Sequence, residues 1–201
     1  ECRPGSYSNA TGSTACTPTA FGRYQSEFGQ TLSLPCPEGT HNPWEDGAAS
    51  CRPCWPGFYA SSTGAATCTP TMPGSFQNGF KQTVEIPCPL GMNSPSAVAE
   101  ACLPCRPGTY ANSEGTSLCL PTAPGYYQNA SGQAVELPCP RGTFNPSDGG
   151  TKKCDDCPSG KYGNTEGASG CLRTPPGLYQ PLPGKTFPLP CPLGTHNPST
   201  A

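Results

Sequence analysis

The sequence predicts a small disulfide-rich tandem-repeat fold with little regular structure. Three observations predict it: 15 Cys at periodic positions, 28 Pro and 25 Gly among 201 residues, and a hydrophobic content of only 33%. Pro lacks the backbone N–H and Gly carries an entropic cost, so this density of both opposes long helices and central strands. Ordinary domains hold roughly 45–50% apolar residues with Gly included, so core material is scarce here. A chain that cannot build one large core needs cross-links instead. So many Cys also predict an oxidising compartment, because a reducing one would leave them needing a metal or a catalytic reason.

The period comes from the Cys positions. Cys36, Cys88, Cys139 and Cys191 are separated by 52, 51 and 52 residues. Cys51, Cys102 and Cys154 keep the same phase, as do Cys2, Cys54, Cys105 and Cys157, and Cys16, Cys68, Cys119 and Cys171. The surroundings recur with them. Pro35-Cys36-Pro37-Glu38-Gly39 returns as 87–91, 138–142 and 190–194, and Pro4-Gly5-Ser6-Tyr7 returns as 56–59 and 107–110. Such periods mark serial modules. The expected divisions are a partial repeat at 1–35, repeats at 36–87, 88–138 and 139–190, and the start of another at 191–201. The odd Cys count is expected of an excerpt from a longer repetitive chain, with Cys191 pairing beyond Ala201; a free thiol is the rival reading.

Each repeat of about 51 residues is expected to hold one short β-hairpin. Gly22-Arg23-Tyr24-Gln25 recurs as 74–77, 125–128 and 177–180. A turn-like tract follows, then the alternating pairs Leu32/Leu34, Val84/Ile86, Val135/Leu137 and Phe187/Leu189, which read as half-buried strands. Units without flexible linkers between them predict an elongated, semi-rigid rod.

The spans from Cys36 to Cys51 and from Cys54 to Cys68 have similar lengths and a similar Pro, Gly, polar, Gly order, like loops tied at the neck. This favours Cys2–Cys16, Cys36–Cys51, Cys54–Cys68, Cys88–Cys102, Cys105–Cys119, Cys139–Cys154 and Cys157–Cys171. An interlocked scheme joining Cys54 to Cys88 and Cys51 to Cys68 stays open. Each bridge over ~15 residues removes about 3 kcal/mol of denatured-chain freedom. Zinc would want Cys-x-x-Cys pairs ~15–20 residues apart, and a redox dithiol wants a βαβ setting. Here the pairs stand about 50 apart in turn-rich sequence.

Cys-x-x-Cys-x-Pro-Gly-x-Tyr followed by a polar loop, Gly and Cys resembles the ephrin-receptor-like cysteine-rich repeat, which is related to growth-factor-like (EGF-like) and tumour-necrosis-factor-receptor-like modules. The resemblance implies an extracellular glycoprotein, of the kind arrayed in protist and algal surface proteins and in mastigoneme filaments. One departure stands out. The second Cys-x-x-Cys of the family is Cys-x-x-Thr here, from Cys16 to Thr19, Cys68 to Thr71, Cys119 to Thr122 and Cys171 to Thr174.

Asn9-Ala10-Thr11 and Asn129-Ala130-Ser131 are N-glycosylation sequons. Recurrence makes Thr19, Thr71, Thr122 and Thr174 candidate O-glycosylation sites, against the plainer reading of turn hydroxyls capping backbone groups. His41 and His196 share a phase that Asn93 and Phe144 fill elsewhere, so surface turn positions are expected and a metal site is not. No Ser/His/Asp or Cys/His set and no calcium loop is present, so neither an enzyme nor a metal or organic cofactor is expected, only covalent glycans. The recurrent aromatics Tyr7, Tyr59, Tyr110 and Tyr162, with Tyr24, Phe76, Tyr127 and Tyr179, read as packing residues.

A net charge of −2 without a basic stripe excludes electrostatic support for nucleic acid, and no stretch approaches the ~20 apolar residues of a membrane span. The expected role is a structural subunit of an extracellular filament or cell-surface coat. It would be glycosylated and would bind copies of itself and other surface glycoproteins. The alternative is the stalk of a receptor or adhesin ectodomain presenting a protein- or glycan-binding domain.

Overall fold

A computed structural model describes residues 1–198, so the last three residues of the expected fragment 191–201 lie outside the description. The chain forms two compact units. One comprises Glu1–Cys88 with Ser94–Cys102, and the other Pro89–Asn93 with the residues from Leu103 onward. Among the described residues all regular structure is two-residue strands, paired antiparallel into separate hairpins.

The hairpin expected after each Gly22-like tract is present, as Arg23–Tyr24 with Leu34–Pro35 in the first repeat. The expectation of one hairpin per repeat falls short, because each 51-residue stretch holds three. In the first unit, hairpins open at Ser6, Arg23, Thr40, Phe58 and Ser75; in the second, at Met92, Thr109, Tyr126, Thr143, Lys161 and Leu178. The structural period is therefore about 17 residues. Every module starts with a Cys or a Thr, has Gly three residues later, and closes 14 or 15 residues on. Two modules of each three close with a disulfide. The third opens with Thr19, Thr71, Thr122 or Thr174, and its closing position holds Ser33, Glu85, Glu136 or Pro188. The Cys period hid this subdivision because the uncross-linked module carries no Cys to mark it.

One backbone ladder joins successive modules within each unit. In the first unit the Gly22 N–H donates to Asn42 O at 2.9 Å and the Gly22 carbonyl accepts from Cys36 N at 2.8 Å. In the second unit Gly125 does the same with Asn145 O and Cys139 N, both at 2.8 Å. The stacking is tight enough to exclude a side chain at the ladder. A Cβ built on Gly22, whose φ is +68°, would stand 2.0 Å from the carbonyl oxygen of Gly64.

The interior is polar. The buried hydrophobic residues are Cys2, Cys36, Cys54, Cys88, Cys105, Cys139, Cys154 and Cys157 with Ala60 and Ala111. The largest fully buried side chains are Gln77 and Gln128. Each such amide spans its own loop. Gln77 Nε2 donates to Val84 O at 2.6 Å while its Oε1 accepts from Gly79 N at 3.2 Å, and Gln128 bridges Val135 O and Ala130 N in the same way. Asn42 and Asn145 hold the preceding module, each Nδ2 donating to two of its carbonyls and one of its own module, those of Ala20, Arg23 and Trp44 or of Ala123, Tyr126 and Ser147. Among the described residues no buried side-chain polar atom lacks a partner. That condition makes a polar interior tolerable, since each orphaned group would cost about 1–3 kcal/mol.

This interior corrects the reading of the alternating pairs as half-buried strands. Leu32, Leu34, Val84, Ile86, Val135, Leu137, Phe187 and Leu189 are all exposed. Neighbouring residues of a strand face opposite sides. The residue between each pair occupies the closing position and turns inward, so its apolar neighbours turn out. Ser33 is buried there, and the Oε2 atoms of Glu85 and Glu136 accept the backbone N–H of Met72 and Ala123, each at 2.7 Å.

A left-handed residue ten or eleven positions into each module turns the loop back. It is Gly in most modules but Lys81 (φ 59°) and Val98 (φ 61°) in two adjacent ones. A β-branched residue in this region is strained, whereas Gly is not. Val98 is also well exposed, so little packing holds it there. Replacing Val98 by Gly should raise the stability of the first unit by about 1 kcal/mol, the relief of strain exceeding the added chain entropy of Gly. Urea unfolding of the oxidised protein measures it.

Candidate functional site

The sulfur framework follows the tied-loop scheme. The bridges are Cys2–Cys16, Cys36–Cys51, Cys54–Cys68, Cys88–Cys102, Cys105–Cys119, Cys139–Cys154 and Cys157–Cys171, with Cα–Cα separations of 5.6 to 5.8 Å. Cys191 is unpaired and half-buried. Bridges in this number suit an oxidising environment. No helix of the described residues is long and apolar enough to cross a membrane.

The recurrent Thr are structural. Thr19, Thr71 and Thr122 are 0% exposed, and their Oγ1 atoms accept the backbone N–H of Ala48, Ala99 and Thr151 at 2.7, 3.0 and 2.8 Å. Thr174 is buried likewise. A hydroxyl enclosed in this way cannot carry a sugar in the folded chain, so the O-glycosylation expected at Thr19, Thr71, Thr122 and Thr174 is withdrawn and the backbone-capping role stands. Asn9 and Asn129, by contrast, are exposed. The recurrent aromatics are half-buried along the hairpins. The Tyr110 phenol is held above its ordinary pKa, first by burial and then by the charge of Glu136.

Two surface features remain, and both lie outside the framework. The first is the set of exposed apolar pairs, which recurs at one place in every repeat: Leu32/Leu34 and Val84/Ile86 in the first unit, Val135/Leu137 and Phe187/Leu189 in the second. The second occurs once. His41, Arg52, Trp55, Phe58 and Cys68 line a cleft of about 250 Å³ in the first unit. His41 lies in the strand Thr40–His41, paired with Arg52 of Arg52–Pro53, rather than in a turn. His196 is exposed. The pairing sets the two side chains beside each other at the cleft. His41 Nδ1 stands 3.1 Å from Cys68 Sγ, the Arg52 guanidinium lies 4.2 Å from the centroid of the Trp44 ring, and Trp55 meets Phe80 at 5.9 Å between centroids.

Donor atoms of His41, Cys54 and Cys68 come within 4.8 Å of one another, a cluster that could hold a metal ion by distance alone. The two sulfurs are bonded to each other, however, and it is the thiolate that ligates metal. The oxidised trio therefore offers one imidazole and no thiolate.

Reading the sequence for recurrence passed over Trp44, Arg52, Trp55 and Phe58 because none of them recurs. The corresponding residues are Ser96, Leu103, Arg106 and Thr109 in one repeat and Ser147, Asp155, Pro158 and Lys161 in the next. The usable signal was the departure itself: both Trp of the chain fall within twelve residues of each other in one repeat. Compared with known proteins, the chain matches no family model and no curated protein.

Proposed function

We propose that this protein is a non-catalytic structural subunit of an extracellular filament or cell-surface coat, built from ephrin-receptor-like cysteine-rich repeats and assembling with copies of itself. The observation that carries the reading is the recurrence of an exposed apolar pair at one place in every repeat, around an interior that has no room for it. A soluble monomer seldom leaves large apolar side chains outside in a regular series without a surface to cover them. A second copy presents the same series at the same spacing, and a repeated contact that does not close on itself gives a fibre. The exposed sequons at Asn9 and Asn129 suit an exported, glycosylated chain.

Negative-stain microscopy of concentrated native protein tests it. Ordered fibres are expected from the unmodified chain. A variant carrying Leu34→Lys, Ile86→Lys, Leu137→Lys and Leu189→Lys should stay monomeric with all seven disulfides formed. Monodisperse monomers of the unmodified protein at high concentration would overturn the reading.

A further inference from the structure

The cleft of the first unit is lined by none of the recurrent apolar pairs, and its Arg52, Trp55 and Phe58, with the adjoining Trp44, are absent from the equivalent places in other repeats. A framework that is rebuilt elsewhere without Trp44, Arg52, Trp55 and Phe58 does not need them to fold. Four side chains that depart from the repeat converge on one surface patch beside His41. We infer that this cleft is a binding site for an acidic saccharide, a sugar ring bearing a carboxylate or a sulfate.

The lining specifies this chemistry. Trp55 is 66% exposed, and with Phe58 it offers flat apolar surface of the kind that accepts the C–H face of a sugar ring. Trp55 is steadied from the side by Phe80, so the surface is presented with little ordering left to do on binding. Arg52 supplies the charge. Its guanidinium rests on the Trp44 face, which fixes the plane of the fork, while in-plane N–H donors remain for a carboxylate or sulfate. With Nδ1 of His41 engaged by the Cys68 sulfur, the other ring nitrogen is left to meet a sugar hydroxyl. No Asp or Glu lines the cleft, so nothing there repels an anion. Arg52 also lines a second cleft of about 370 Å³, together with Trp44, Asp46 and Ser50 among others. Asp46 would accept hydroxyls there and reject a second acid, which places the acidic ring on the Trp55 side.

The chain has only two Trp, and both belong to this patch, so its intrinsic fluorescence reports the site directly. Titration of the full oxidised chain with trigalacturonate and with a sulfated heparin disaccharide should give a saturable fluorescence change for at least one of them. The responding probe identifies the acid as carboxylate or sulfate. Arg52→Leu should weaken that binding by roughly tenfold or more, the loss of a charge-assisted pair. Trp55→Ala, followed by calorimetry because one fluorophore is gone, should abolish it. Peptide mapping that finds Cys36–Cys51 and Cys54–Cys68 intact in both variants shows that the fold survives. The inference fails if neither acidic probe binds, if neutral cellotriose binds as tightly, or if the mapped, folded variants bind as the parent does. Fibre formation is read separately and by other residues, so either reading can fail without the other.

Discussion

Gly22→Val should unfold the first unit under conditions where the parent is fully folded, at a cost of roughly 3–5 kcal/mol. Two costs add at this position. The backbone is left-handed there at φ +68°, which a β-branched residue resists by about 1–2 kcal/mol. The new side chain would also meet the backbone of the later module, with Gly64 O at 2.0 Å and Gly64 C at 2.7 Å from the Cβ alone. Backbone cannot swing aside as a side chain can, so the ladder from Gly22 to Asn42 must break. Gly12 separates the two costs. It is left-handed at φ +76° but has nothing within 4 Å of a built Cβ, so Gly12→Ala should cost only about 1 kcal/mol. Urea denaturation of both variants, followed by circular dichroism, measures the difference. Equal losses would mean that the modules do not interlock through their glycines.

A new disulfide should form when Thr122 and Glu136 are both replaced by Cys. The two positions are 14 residues apart, as are Cys105–Cys119 and Cys157–Cys171 in the same unit, and they fall at the opening and closing places of their module. Closing that loop is worth about 3 kcal/mol in the chain-entropy account. Loss of the Thr122 and Glu136 hydrogen bonds to Thr151 N and Ala123 N takes back about 2 kcal/mol, at about 1 kcal/mol each, so the net gain is about 1 kcal/mol. Peptide mapping should find residues 122 and 136 cross-linked with the native bridges unchanged. A variant whose two new thiols stay free would show that the Thr module is not a Cys module with its bridge removed.

The two substitutions rest on equivalences that the sequence displays unevenly. The Cys positions, their period and the framework of Pro, Gly and Tyr follow from reading the chain alone, because covalent staples and special backbone angles demand particular residue types at particular places. The paired spans around Cys36–Cys51 and Cys54–Cys68 were legible for the same reason. The third module of each repeat was not. Glu85 closes the Thr71 module by accepting the Met72 N–H, where a bond closes Cys54–Cys68, while the Thr71 hydroxyl ties on the next module through Ala99 N, and Thr and Glu are too common on polar surfaces to mark a place by themselves.

The sequence by itself determined the disulfide-stapled repeat and the shortage of apolar core, since both follow from which atoms the chain owns. Only the tertiary structure decided which face of each strand looks inward. Alternation such as Leu32-Ser33-Leu34 defines two faces but not which is buried. Stacked backbones that approach as closely as Gly22 and Gly64 leave an interior wide enough for a disulfide, a Thr or a bridging amide, and too narrow for a Leu. The same packing enclosed the Thr hydroxyls, turned the apolar pairs outward and brought His41, Arg52 and Trp55 to one cleft.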